Sequence, residues 1–175
     1  LAYQGGGTDG FISTFTIDSA GVITAVKTQS EGNNLEHDTE HGESNSLVQV
    51  DADTYALVYT NSGGDGFIAT FTISAAGDIT AVKTYSEGNV LERTGKGGGG
   101  YNSLVQVDAD TYALAHQAPG ISGFISTFTI SADGSTITEV ATLEHDTGSG
   151  DHNSLVHVVG DTYALAYAGV ASDGF

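Results

Sequence analysis

Short runs of apolar residues alternate with polar ones along the chain at a period of two. In the stretch 67–73, Phe67, Ala69, Phe71 and Ile73 fall on one side of an extended backbone and Ile68, Thr70 and Thr72 on the other. Tyr55, Leu57 and Tyr59 likewise share a face opposite Thr54, Ala56 and Val58. Four such runs, 45–51, 54–59, 67–73 and 79–84, are rich in Val, Ile, Thr, Phe and Tyr and are bounded by Gly, Asp, Asn and Ser clusters, which predicts strands. Neither face is strongly charged, so a sheet covered on both sides is expected. No stretch carries a 3.6-residue apolar period, and the fold class read from this pattern is all-β.

The pattern repeats. Phe11–Ile17 returns at Phe67–Ile73 and Phe124–Ile130, and the block 45–57 is identical to 102–114 at all 13 positions. Residues 11–37 match 67–93 at 20 of 27 positions. Counted from Phe to Phe the units are 11–66, 67–123 and 124–174, of 56, 57 and 51 residues. Residues 1–11 (LAYQGGGTDGF) also line up with 165–175 (LAYAGVASDGF). Residues 1–10 therefore complete the unit begun by the C-terminal strands or belong to a preceding one. This offset predicts a window of a longer tandem array, as does the lack of any methionine.

Turn chemistry gives the expected strand order. Asp51-Ala52-Asp53 is a tight turn joining the first two strands of a unit, 61–66 a longer hairpin loop and 74–78 a third. The remaining link, roughly 31–44, is long, polar and variable. A four-stranded meander followed by one long link is the pattern of a propeller blade. The recurring N-S-L-V-x-V, D-T-Y-A-L-x-Y and D-G-F-I-x-T-F-T-I segments resemble β-propeller repeats of bacterial surface and secreted proteins. WD dipeptides and a kelch-type pattern of Gly-Gly plus Trp are absent. The resemblance implies tandem four-stranded antiparallel blades, with three units forming part of a larger propeller or half of a dimeric six-bladed one.

Composition narrows the partners. Four Lys+Arg stand against 22 Asp+Glu, a formal charge of −18, which excludes nucleic acid and anionic membrane as partners. No apolar run approaches the roughly 20 residues of a spanning helix, so no membrane insertion is expected. With no cysteine there is no disulfide, thiolate metal site or Cys nucleophile. So acidic a surface repels itself in dilute buffer and suits an extracellular or cell-surface setting rich in salt.

Three constellations could carry chemistry. Asp9, Asp65 and Asp173 each precede Gly-Phe in a glycine-rich loop, and a carboxylate among loop carbonyls could hold Ca²⁺. The competing reading is that Gly supplies a positive φ and Asp caps the turn. The link carries Glu36, His37, Asp38 and His41, echoed by Glu144, His145, Asp146, Asp151 and His152, a set able to bind a divalent metal or simply an acidic solvated loop. The middle unit has Arg93 and a glycine run instead. Tyrosines recur, and Tyr59 and Tyr101 are candidates for stacking on glycans, with core packing the default for strand tyrosines. Ser46, Ser103 and Ser154 lack a nucleophile elbow, and the pairs Asp51/Asp53 and Asp108/Asp110 lie in turns. Departures from the repeat are mild and scattered, which predicts no enzyme and no required cofactor. The expectation is a non-catalytic scaffold for adhesion or assembly, self-associating or packing on neighbouring repeats. A multivalent carbohydrate-binding module is the alternative, and a glycan-active hydrolase a more distant one.

Overall fold

The computed structural model describes residues 1–27, 35–83, 100–118 and 120–170, and the backbone of 91–92. The described residues form sixteen strands in five antiparallel sheets, with no helix. They form no closed barrel.

The predicted meander is present. Strands β6 (Glu43–Gln49), β7 (Thr54–Thr60), β8 (Gly66–Ile73) and β9 (Ile79–Lys83) pair in chain order. The next unit repeats it with β11 (Ser103–Gln106), β12 (Thr111–Gln117), β13 (Gly123–Ile130) and β14 (Ile137–Asp146). At the C-terminal end β15 (Asp151–Val159) and β16 (Thr162–Ala168) form the first two strands of a further unit. At the N-terminal end β1 (Ala2–Gln4), β2 (Gly10–Ile12), β3 (Thr14–Ile17), β4 (Ile23–Lys27) and β5 (Leu35–Asp38) supply the later strands of another.

The link differs from expectation. Its Leu-Glu-His-Asp segment is strand, because β5 pairs with β2 and β10 (Leu91–Glu92) with β8. In the third unit the same residues close one ten-residue strand, β14, which stays on β13 through two register shifts. A β-bulge absorbs the extra residue, so the fourth strand runs the full length of the third.

Each face of the central sheet packs on a different neighbour, as two apolar faces require. Leu57, Tyr59, Phe67, Ala69 and Phe71 join Ile12, with Ala2 and Leu35 against them. Ala56, Val58 and Ile68 join Leu104, Tyr112, Leu114, Phe128 and Ile130 of the following sheet. A smaller cluster of Ala113, Ala115 and Leu155 continues to the last sheet. At about 25 cal/mol per Å² of apolar surface, this mutual cover supplies most of the stability no single sheet could generate.

Three hydrogen bonds recur at successive sheet junctions. The Ser46 hydroxyl accepts from Leu104 N–H at 3.0 Å and Ser103 from Leu155 N–H at 2.9 Å. Tyr112 donates to Val50 O at 3.3 Å and Tyr163 to Val107 O at 3.4 Å. Thr14 donates to Gly77 O at 3.0 Å and Thr70 to Gly134 O at 2.8 Å. Both receiving glycines have positive φ, +83° and +70°, which puts their carbonyls within reach of the threonine.

Candidate functional site

The residue before Asn at the start of each first strand has a left-handed backbone: Ser44 at φ 52°, Tyr101 at 67° and His152 at 54°. Left-handed geometry costs a non-glycine residue roughly 1–2 kcal/mol, and its recurrence at one position marks strain held by the surroundings. Asn explains part of the hold. Asn45 and Asn153 each donate to the carbonyl three residues upstream, Gly42 and Gly150, at 2.7 Å. Asn102 instead donates across the junction to Ser44 O at 3.0 Å.

These positions form a rim on which the units differ most. Tyr101, 39% exposed, stacks on His152 with centroids 4.1 Å apart. Beside them the Gln117 amide donates to an Asp151 carboxylate oxygen. The rim continues through Ser44 to Glu43, which accepts from Gln4 at 3.3 Å and pairs with His41 at 2.9 Å. An exposed ring pair flanked by an amide and carboxylates can stack on and hydrogen-bond a hydroxylated ring. Tyr101 and His152 were visible as residues in the sequence. Their stacking was not, because 51 positions separate them and only the sheet junction brings them together.

Tyr59 is a correction to the ligand reading. It is fully buried, packed edge-on against His37 at 4.7 Å and stacked on Phe67 at 5.5 Å, so no ligand reaches it. The cause is a face of β7 enclosed by the preceding sheet.

The Asp-Gly-Phe loops are also different from expectation. Positive φ falls on Gly7, Gly64 and Gly120, earlier in each loop. In the 61–66 loop the cap is Asn61, whose side-chain oxygen accepts from Gly63 and Asp65 N–H at 2.9 and 3.0 Å. The glycine before Phe has another role. A Cβ on Gly10 would collide with the His37 ring and lie 2.9 Å from Gly42 Cα; one on Gly123 would collide with His145 and lie 3.0 Å from Gly150 Cα. Asp9 and Asp65 belong to separate loops, and Asp173 lies outside the described residues. Among the described residues no three His, Asp or Glu side chains gather as a metal would need.

The link histidines divide by role. His37 turns inward and is buried. Burial holds it down to about 4, against opposing pulls from the Asp38 carboxylate and the Asn45 amide. His145 repeats this against Tyr167, with centroids at 4.6 Å, and burial lowers it too. Asp38 caps a turn through Glu40 and His41 N–H, and Asp146 does so through Gly148 and Ser149 N–H. In the middle unit His116 occupies the place of Tyr59, fully buried, with Nε2 3.1 Å from Ser126 Oγ.

No family model matches the chain, and no curated protein matches it.

Proposed function

We propose that this chain is a non-catalytic repeat scaffold of an extracellular or cell-surface protein, acting in adhesion or assembly, with its sheets arranged as β-propeller-type blades. One observation carries the reading: the same three hydrogen bonds join successive sheets. A structure whose side chains are committed to joining copies of itself is built to extend. The charge of −18 supports a saline setting, where screening relieves self-repulsion.

A repeat scaffold tolerates a change in unit number, because each unit touches only its neighbours. Duplicating residues 67–123 should give a chain with the same all-β circular dichroism per residue and a higher urea midpoint. Loss of the β signal on duplication would refute the scaffold.

A second reading has support in the rim. Tyr101 stacked on His152, beside Gln117 and Asp151, would take one face of a sugar. A glycan array separates the two: binding to one sugar class, abolished by Tyr101→Ala, favours a lectin-like module over adhesion through repeats alone.

A further inference from the structure

The large apolar side chains left exposed concentrate at the two ends of the stack. At the N-terminal end these include Phe15 at 41% and Ile17 at 69%, although the equivalent Phe71, Phe128 and Ile130 are fully buried. At the C-terminal end Val158 is 56% exposed, against 39% for the equivalent Val107 and 7% for Val50. Two backbone edges are open as well. Among the described residues strand β3 pairs only with β4, and β16 only with β15. Neither strand carries a charged residue or proline of the kind that blunts an edge, and the bulges of the two ladders place their extra residues on the partners β4 and β15.

A groove of about 500 Å³ runs along the open edge of β3, lined by Thr14, Phe15, Ile17, Leu47 and Tyr55 among others. In the two complete units this place is filled. There β7 pairs with β8 as Thr54↔Thr72, Tyr55↔Phe71 and Ala56↔Thr70, and β12 with β13 as Thr111↔Thr129, Tyr112↔Phe128 and Ala113↔Thr127. By the repeat, the segment that fits β3 is Thr162-Tyr163-Ala164, the start of β16, opposite Thr16, Phe15 and Thr14.

We infer that a second copy of this chain occupies the groove, so that molecules associate head to tail by adding β16 of one to β3 of the next. This deepens the scaffold reading and rests on it. All three junction bonds have their groups waiting. Ser154 of the first copy would accept from Leu47 N–H of the second. Tyr55 of the second would donate to Val158 O of the first. Thr127 of the first would donate to Gly21 O of the second. Among the described residues Ser154, Tyr55 and Thr127 make no such bond, whereas their equivalents Ser46 and Ser103, Tyr112 and Tyr163, and Thr14 and Thr70 all do. Gly21 has the same positive φ as Gly77 and Gly134, yet open space surrounds it where threonines press on the other two. A heterologous contact of this kind closes into a ring or grows into a filament, according to the rotation per copy.

Beyond Ala164 the incoming strand meets Leu1, which already exchanges backbone hydrogen bonds with Ser13 at 2.8 and 3.0 Å. Leu165–Ala168 and Leu1–Gln4 read LAYA and LAYQ, so they compete for one slot against β2.

The test is sedimentation velocity of the 175-residue chain from micromolar to millimolar concentration, at low and high salt. Mass should increase with concentration, and more so at high salt, where the −18 charges are screened. Phe15→Glu should abolish the association. Thr127→Val combined with Ser154→Ala should weaken it by roughly tenfold, and removing residues 1–4 should tighten it. Because the chain lacks cysteine, register can be read directly. T16C mixed with T162C under oxidised glutathione should give a disulfide-linked heterodimer, while T16C alone should not. A chain that stays monomeric throughout, an association indifferent to Phe15→Glu, or a cross-link that forms in T16C alone overturns the docking. A monomeric chain whose duplicated-unit variant still folds would refute this docking and leave the scaffold standing.

Discussion

Acid should unfold this protein partly through His37. The ring is buried between Tyr59 and the Gly10 backbone, and burial holds its pKa at about 4 against an ordinary 6.5. The unfolded chain therefore takes up the proton more readily than the folded one. Stability from this group is complete above pH 6.5 and is lost as pH falls toward 4. Two and a half pH units at about 1.4 kcal/mol each make about 3.5 kcal/mol, of which about 3 kcal/mol is lost by pH 4, where the folded-state ring is half protonated. The measurement is urea unfolding of the parent chain and His37→Gln at pH 7 and pH 4. At pH 7 the variant should be the weaker, having lost the ring packed on Tyr59. At pH 4 the gap should narrow by about 3 kcal/mol, because the variant has no imidazole to protonate. Carboxylate titration is common to both chains and drops out of the difference. An equal gap at the two pH values would show that the imidazole is not held neutral by its surroundings, and the reasoning would fail.

Other perturbations address the junctions and the strained rim. Thr70→Val removes a buried donor to Gly134 O and should cost about 1–3 kcal/mol in urea unfolding; Thr14→Val, at a half-buried copy of the same bond, should cost less. Gly123→Ala pushes a methyl into His145 and toward Gly150, and a drop in melting temperature matching about 1–3 kcal/mol is expected. Ser44→Asn relaxes a left-handed residue and should raise stability by a few tenths to about 1 kcal/mol, read from the same urea curves. Sodium and calcium chloride at equal ionic strength should raise the melting temperature equally, by screening −18 charges; an excess for calcium would instead point to a site on the acidic loops.

Much of the fold was legible because the code for a strand is local. The alternation in 67–73 and the turn at Asp51-Ala52-Asp53 placed β6 to β9 in their observed order. The two-sided cover followed from the uncharged faces of β7 and β8. The link was misread because its composition is polar while its pairing is not local. Leu35–Asp38 becomes strand by pairing with β2, and a bulge hides the period-two signal. Tyr59 offered the same difficulty in reverse: a strand tyrosine looks alike whether its far side meets water or another sheet. The rim was half-readable, since Tyr101 and His152 broke the repeat, but their left-handed backbones have no sequence signature beyond the Asn that follows.

The His37–Tyr59 and His145–Tyr167 contacts show where this protein can be divided. Each pair spans two sheets, so a piece cut at sheet boundaries takes one ring from each of two different contacts. A piece cut from Phe to Phe keeps both members of its own pair, His37 with Tyr59 in one unit and His145 with Tyr167 in another. The transplantable module of this array is thus the straddling segment rather than the sheet, and recombination in frame with the Phe codons would swap modules with their matching rings aboard.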